Sequence, residues 1–306
     1  MIPFIESNDL VKGYGSIRAL DHLTLSLGRG KSIGLVGPNG AGKTTFLSLL
    51  CGFIRPTSGN LRVMGHTAGS RALKGRIGTL PQDVPFMQGI PVFAQLTLFA
   101  RLQGFAGKDA RRESERVLQL LDCRELGRQF PETLSFGQRK KVTLAQALVG
   151  QPDLVLLDEP TSGLDPVAVN GVRAIIRKLR DGHSFIISSH NLEEIKDICE
   201  EIVVINKGKL VRHCAIDDLL EKNSYLTVLL DRPVEPSLLQ TFEQMPAIIK
   251  VSPDRDKTNQ LSIYFKSDNP DELQYEILDL LRKSGVVVNE FSRGTAFTDK
   301  VVELVS

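Results

Sequence analysis

The sequence predicts an α/β fold, with a parallel sheet as its core, followed by a small α+β domain. The runs Leu154–Leu157 and Ser184–Ile187 are short and apolar, which is typical of parallel strands covered by helices on both faces. A third such run, Ser32–Val36, leads into a glycine-rich segment and then a helical pattern. Beyond this core the pattern changes to short alternating strands and helices. We therefore expect two domains, 1–221 and 222–306.

Composition and charge narrow the class of protein. The chain has 306 residues, 42% hydrophobic and 24% charged, with a formal net charge of +2. These values are ordinary for a globular protein, and the basic clusters Arg71–Arg76 and Arg139–Lys141 are too short to predict a nucleic-acid surface. No apolar run approaches a membrane span, and the four cysteines show neither pairing nor metal-binding spacing. We expect a soluble, cytoplasmic protein with no intrinsic membrane span and no nucleic-acid partner.

A phosphate-binding pattern, G-x-x-x-x-G-K-[ST], follows the first apolar run. It comprises Gly37, Pro38, Asn39, Gly40, Ala41, Gly42, Lys43, Thr44 and Thr45. Glycines let successive backbone N–H groups approach anionic phosphates, and the alternative is a chance glycine-rich turn. In such a loop Lys43 reaches the β- and γ-phosphates, while Thr44 offers its hydroxyl to Mg²⁺. The helix that begins near Lys43 directs its positive end at the same charge. We expect the chain to bind a nucleotide.

Polar residues end the two later strands of the core. Asp158 and Glu159 follow Leu157 directly. An Asp at this end of a buried strand can hold Mg²⁺, and the adjacent Glu can orient the attacking water. The alternative is an acid pair that caps a helix before Pro160. His190 ends the next strand, and a simple βαβ order would bring this side chain to the phosphates.

Between these motifs the chain offers a nucleotide-stacking candidate and a helix-rich section. Tyr14 lies ahead of the phosphate loop, where its ring could stack on a purine or pack the segment onto its own sheet. Helical apolar spacing covers Val92–Leu102, Ala110–Leu121 and Phe136–Val149. The strands expected around them are Phe4–Leu10, Leu23–Leu27, Asn60–Val63 and Arg76–Leu80.

Taken together, these residues resemble the ATP-binding subunit of ABC transporters over roughly residues 4 to 220. The matching elements, in order, are Tyr14 (aromatic loop), Gly37–Thr45 (Walker A), Gln82 (Q-loop), Leu134–Gln138 (signature), Leu154–Glu159 (Walker B), Ser162–Asp165 (D-loop) and His190 (H-loop). The resemblance implies a P-loop NTPase cassette with a parallel core, an antiparallel β subdomain and a helical subdomain. It implies ATP and Mg²⁺ as cofactors, with Gln82 joining Thr44 and Asp158 at the metal. Glu159 and His190 would be the catalytic residues.

The resemblance also implies a dimer in which two cassettes enclose two ATP molecules. Ser135, Gly137 and Gln138 of one copy would meet the γ-phosphate held by Lys43 of the other. Since only one cassette is present, the chain would pair with itself or with a similar subunit. One residue departs from the family pattern, because Phe136 replaces the first glycine of Leu-Ser-Gly-Gly-Gln. Its ring would either turn away from a working motif or point across the interface and loosen the dimer.

The family pairs this cassette with a transmembrane permease, which would place the chain on the inner face of the cell membrane. The loop Pro85–Phe93 offers apolar residues that either receive a partner's short helix or pack within the helical subdomain. The expected function is an ATP-hydrolysing subunit that energises transport, in the export direction. The alternatives are a soluble ABC ATPase of repair or assembly and a nucleotide-gated module that hardly hydrolyses.

Residues 222–306 show the order βαββαβ, which predicts a ferredoxin-like domain. The final stretch, Thr298–Val305, resembles the closing amphipathic helix of exporter-type subunits. This domain would regulate or stabilise a dimer, or it would be a passive appendage.

Overall fold

The computed structural model describes residues 3–82, 86–180, 182–219, 223–254, 258–267 and 269–295, and positions 301 and 304. The chain divides into two compact units, Met1–Ile216 with Leu304–Ser306, and Asp217–Glu303. The sequence places its domain boundary a few residues later, between 221 and 222.

The first unit contains ten strands within the described residues. They are β1 Ile5–Tyr14, β2 Ile17–Leu27, β3 Ser32–Val36, β4 Ser58–Val63, β5 His66–Thr67, β6 Ile77–Leu80, β7 Leu154–Asp158, β8 Ser184–Ser188, β9 Glu201–Asn206 and β10 Lys209–Ala215. The helices are α1 Lys43–Leu50, α2 Val92–Leu102, α3 Gly107–Leu120, α4 Phe136–Ala147, α5 Pro166–Leu179 and α6 Leu192–Ile198, with the short α7 Ile216–Leu219 at the boundary.

The central sheet has six strands in the order β10-β9-β3-β8-β7-β6. All its neighbouring pairs are parallel except β9 with β10. Every residue of β3, β7 and β8 is buried, as the apolar runs predict for strands covered on both faces. Because parallel strands end at one edge of a sheet, the segments that follow β3, β7 and β8 lie close together. This arrangement confirms the predicted α/β core.

An antiparallel sheet and a group of helices complete the first unit. The antiparallel sheet has the order β2-β1-β4-β5 and shares a hydrophobic core with α1 and the central sheet. Helices α2, α3 and α4 pack together: Thr97 and Ser114 join α2 to α3 through hydroxyls 3.0 Å apart, and Arg116 donates from α3 to the carbonyl oxygen of Leu148. These are the β and helical subdomains that the sequence predicts.

The second unit follows the order β-α-β-β-α-β. Its elements are β11 Asn223–Leu230, α8 Pro236–Glu243, β12 Ile248–Pro253, β13 Gln260–Lys266, α9 Pro270–Lys283 and β14 Val288–Thr295. The strands form an antiparallel sheet in the order β12-β13-β11-β14, over a core that includes Phe242, Phe265 and Ile277. The predicted helix Thr298–Val305 lies outside the described residues, apart from positions 301 and 304. A separate role for this unit stays a prediction.

Two further properties bear on the expected class of protein. In the described parts of the chain, no helix has the length and apolar character that a membrane span requires. The four cysteines are free thiols, and burial raises the pKa of Cys51 and of Cys123 to about 11. Burial also raises the pKa of Cys199. Since the thiolate is the reactive form, the raised pKa makes these three side chains poor nucleophiles at neutral pH.

Candidate nucleotide site

The phosphate loop connects the end of β3 to the start of α1, and two of its glycines cannot be replaced without strain. Gly42 precedes α1 with φ +107°, and a Cβ there would lie 2.5 Å from the carbonyl oxygen of Ala19. A Cβ on Gly37 would lie 2.0 Å from the carbonyl oxygen of Ile205. The loop is therefore packed between β2 and β9, and its glycines are required by these neighbours as well as by a ligand.

Lys43 is the first residue of α1, and its side chain reaches back into the phosphate loop. Its side chain is buried, with 9% of the residue exposed, and Nζ donates to the carbonyl oxygens of Gly37 at 2.7 Å and Pro38 at 3.1 Å. Burial lowers the pKa of Lys43, and the nearby carboxylates of Glu159 and Asp158 act in the opposite direction. A partly desolvated ammonium beside an open cavity exerts a strong local field on an anion.

The two acidic residues occupy the end of β7. Asp158 is buried and accepts a hydrogen bond from the hydroxyl of Ser188, which lies opposite it on β8. Glu159 follows in the left-handed region with φ +51°, and its backbone N–H donates to both Ser188 oxygens, O and Oγ, at 3.1 Å. This conformation is uncommon for a non-glycine residue, although the described residues contain six others, outside the cavity. Asp158 and Glu159 do not cap a helix, because the next helix, α5, begins at Pro166 and is capped by Asp165.

His190 contacts Glu159 directly. Its Nδ1 lies 2.7 Å from Oε2 of Glu159, which is 13% exposed, whereas the imidazole is 66% exposed. An ionised carboxylate can only accept a hydrogen bond, so Nδ1 carries the proton in this pair. The parallel pairing of β7 with β8 brings the two residues together, as the sequence predicts from a βαβ order.

These residues line one cavity of about 610 Å³. Its lining consists of Tyr14, Ile17, Arg18, Ala19, Asn39, Gly40, Ala41, Gly42, Lys43, Thr44, Thr45, Gln82, Asp158, Glu159, Ser162 and His190. Gly37 and Pro38 lie behind this lining, where their carbonyls hold Lys43. The three predicted metal ligands and both predicted catalytic residues therefore share one space, which we call the nucleotide cavity.

Several lining or supporting residues have no motif in the sequence analysis. Ile17, Arg18 and Ala19 belong to the segment that opens β2, and only the fold brings them to the phosphate loop. Ser188 ends β8 and hydrogen-bonds to both Asp158 and Glu159. The polar residues at the end of this strand predict a role for His190 but not for Ser188. The serine that directly follows the run Phe185–Ile187 could have been found by the same reasoning.

The predicted γ-phosphate contacts of the signature segment do not line the nucleotide cavity of their own chain. Ser135 and Gln138 instead form a reciprocal cap at the start of α4. The amide of Gln138 donates to Oγ of Ser135 at 3.3 Å, and the amide of Ser135 donates to Oε1 of Gln138 at 2.9 Å. Gly137 packs against α5 near Ala168. A contact of these residues with a second copy's nucleotide stays a prediction.

Phe136 starts α4 with a helical backbone, so the lost glycine does not strain the chain. The ring lies against Gly163 of the same chain. A Cβ added to Gly163 would lie 3.1 and 3.2 Å from two carbons of the Phe136 ring. The side chain remains 55% exposed. Its ring therefore rests on the turn between β7 and α5 and leaves the capped start of α4 intact.

Replacing Phe136 by glycine tests whether this ring limits activity. We expect Phe136→Gly to hydrolyse ATP within about threefold of the parent rate, because the cap of α4 does not depend on the ring. Steady-state phosphate release measures this. A gain of about tenfold in the hydrolysis rate, equal to about 1.4 kcal/mol of barrier, would show instead that the ring obstructs closure of the expected dimer.

The sequence and the fold match known proteins. The family model described as ABC transporter matches residues 20–162. The bacitracin transport ATP-binding protein of Bacillus licheniformis is 33% identical over 227 residues, covering 73% of each chain. This chain belongs to the ABC transporter family. A daunorubicin/doxorubicin resistance ATP-binding protein of Streptomyces peucetius is 31% identical over 303 residues, covering 97% of this chain and 90% of that protein.

Solved structures agree with this assignment. A chain described as the ATP-binding subunit of an ABC transporter superposes with a TM-score of 0.63 at 25% identity, covering 71% of this chain and 91% of that one. The protein is thus an ABC ATPase, an ATP-binding subunit of the transporter type, and the predicted cassette fold is confirmed.

Proposed function

We propose that this ABC ATPase energises transport through a separate membrane-spanning partner, in the export direction. The observation that carries the proposal is the nucleotide cavity itself, in which a phosphate loop, a buried lysine and a carboxylate–histidine pair meet. Relatives named for drug resistance and antibiotic transport support the direction and the class of task. The chain would then lie peripherally on the inner face of the cell membrane.

ATP would bind along the phosphate loop. Tyr14 is half-exposed at the cavity, so its ring is open to stacking with a base. Lys12 Nζ lies over the ring, 5.0 Å from its centroid. Residues 37–45 would present backbone N–H groups to the phosphates, and the start of α1 carries no acidic residue to oppose them. Lys43 would contact the β- and γ-phosphates.

The donor set at the base of the cavity fits Mg²⁺. Thr44, Gln82 and Asp158 supply a hydroxyl, an amide oxygen and a carboxylate, all hard oxygen ligands of the kind Mg²⁺ prefers. These residues would hold the ion, which neutralises phosphate charge when bound. The buried Asp158 is kept in place by Ser188 on the neighbouring strand.

Glu159 and His190 would carry the hydrolytic step. The carboxylate of Glu159 would orient a water molecule towards the γ-phosphate, and His190 would contact the same phosphate from the side that β8 presents. Their 2.7 Å contact fixes the relative position of the two groups.

A second copy, or a similar subunit, would complete the site. Ser135 and Phe136 are exposed at the start of α4, and this helix lies outside the nucleotide cavity of its own chain. The positive end of a helix favours an anion, so the exposed Ser135 and Phe136 would be available to another copy's nucleotide. ATP would therefore close the dimer, and hydrolysis would reopen it.

The partner would dock at a second cavity of about 520 Å³ beside α4. Its lining is Pro81, Gln82, Phe86, Gln88, Pro131, Glu132, Phe136, Arg139, Lys140 and Thr143. Gln82 belongs to both cavities, so a helix seated here would contact a proposed metal ligand. Part of the predicted docking loop Pro85–Phe93 contributes, although position 85 lies outside the described residues.

Cross-linking in native membranes tests the membrane partner. We expect Gln88→Cys, treated with a short thiol–amine cross-linker, to form an adduct with an integral membrane protein, because Gln88 is exposed at the second cavity. Arg62→Cys, exposed on β4, and the parent chain serve as controls and should give no such adduct. Equal adducts from Gln88→Cys and Arg62→Cys, or none from either with the chain in the soluble fraction, would favour an ABC ATPase of repair or assembly.

We also propose that residues 222–306 form an accessory domain. The second unit has its own hydrophobic core, and the Streptomyces relative extends across it. Limited proteolysis should then cut near 219–223 and leave two resistant fragments. Simultaneous loss of both fragments would show that this segment is integral to the cassette.

A further inference from the structure

Lys140 is a buried cation that the proposed reaction does not use. It lies on α4, one turn after Phe136, and only 8% of its surface is exposed. Its Nζ donates a hydrogen bond of 3.2 Å to the backbone carbonyl oxygen of Glu159. Burying an ammonium group costs free energy unless the group is hydrogen-bonded, and the bond to Glu159 offsets part of this cost.

The carbonyl that receives this bond belongs to a residue in the left-handed region whose backbone is held by several hydrogen bonds. Glu159 has φ +51°, and its N–H is held from β8 by both oxygens of Ser188. Its carbonyl oxygen also accepts from the amide of Ser162 at 3.3 Å. Ser188 on β8, Ser162 in the turn before α5 and Lys140 on α4 therefore all hold the backbone of Glu159 in the left-handed region.

The backbone of Glu159 determines where its carboxylate points. Oε2 lies 2.7 Å from Nδ1 of His190, and a rotation of the peptide would carry the carboxylate away from this partner. Misplacement by about 1 Å at a reacting group can cost on the order of a hundredfold in rate. The hydrogen bond of Lys140 thus acts on the position of the carboxylate without contacting substrate.

We propose that Lys140 is a positioning residue that ties the signature helix α4 to Glu159 of the same chain. The helix that presents Ser135 to a second copy is then the helix that orients the hydrolytic carboxylate of its own nucleotide cavity. A displacement of α4 changes both together. The proposal rests on the proposed role of Glu159.

The substitution Lys140→Met tests this tie, because methionine fills a similar space and removes the charge. In this variant the carbonyl oxygen of Glu159 still accepts from the amide of Ser162 at 3.3 Å, so it is not left without a donor. We expect kcat to fall by about tenfold or more while KM for ATP stays within about twofold, because ground-state binding is untouched. Lys140→Arg, which can still donate to the Glu159 carbonyl, should recover part of the lost rate. Lys141→Met removes the same charge one position later and should behave like the parent.

A double variant separates positioning from a structural role. In the Glu159→Gln background, Lys140→Met should change the residual single-turnover rate by less than about twofold, because its target carboxylate is already gone. A further tenfold loss there, or a parental kcat for Lys140→Met alone, would overturn the proposal. If Glu159→Gln itself keeps the parental rate, the proposed role of Glu159 fails instead. Thermal melting of each variant confirms that it is folded before the rates are compared.

Discussion

Glu159→Gln should abolish turnover and leave ATP binding intact. The carboxamide keeps the shape of the side chain and can still accept from Nδ1 of His190, which lies 2.7 Å from the native Oε2. It loses the negative charge that orients and activates water, a contribution of about 10²–10⁴-fold in rate. We therefore expect phosphate release to fall at least about a hundredfold while the dissociation constant of a fluorescent ATP analogue changes by less than about threefold.

This variant should also accumulate as an ATP-bound dimer, because the proposed dimer would close on ATP and reopen on hydrolysis. Sedimentation with ATP and Mg²⁺ would detect the change in mass. Glu115→Gln, a matched loss of one carboxylate on the exposed face of α3, is the control and should dimerise and hydrolyse like the parent. Hydrolysis by Glu159→Gln within about twofold of the parent rate would remove this residue from the catalytic role.

The sequence predicts that these residues come together, because its motifs lie at the carboxyl ends of strands that are recognisable by themselves. The apolar runs of β3, β7 and β8 are buried throughout, and a run of that kind permits few alternatives. Once three such strands are parallel, their following residues meet at one edge of the sheet. The contact between Glu159 and His190 follows from this geometry, although the residues are 31 positions apart.

Other features depend on packing that a one-dimensional pattern does not contain. Helix α4 packs against β6, and this packing buries Lys140 and brings it to Glu159. In the sequence alone, a lysine in a basic run is interpreted as a solvated residue. The position of the Phe136 ring on Gly163 likewise depends on the turn before α5. The strand β9 could have been predicted, since Ile202–Ile205 is an apolar run like that of β7. The strand β10 mixes apolar and polar side chains without a clear period, so the sequence carries no such signal for it.

Lys43→Ala should fail at the binding step, in contrast to Glu159→Gln. The substitution removes the cation proposed to contact the β- and γ-phosphates. It also removes the two hydrogen bonds, of 2.7 and 3.1 Å, that hold the carbonyls of Gly37 and Pro38 around Nζ. One charge-assisted hydrogen bond is worth about 1.5–3 kcal/mol, so we expect ATP affinity to fall by about ten- to a hundredfold or more. Titration with a fluorescent ATP analogue measures this fall directly.

The control for Lys43 lies at the opposite end of the same strand. Lys31 precedes β3, is half-exposed and pairs with Glu201 at 3.3 Å, so Lys31→Ala changes net charge equally at the far edge of the sheet. This variant should bind ATP like the parent, since surface charges more than about 10 Å away are screened at moderate salt. Loss of Lys43 also leaves Asp158 and Glu159 without the cation whose charge interacts with both. This loss could lower the stability of the variant, so melting curves without nucleotide are needed to show that Lys43→Ala is folded before its affinity is interpreted. A folded Lys43→Ala with parental ATP affinity would place the phosphates elsewhere in the cavity.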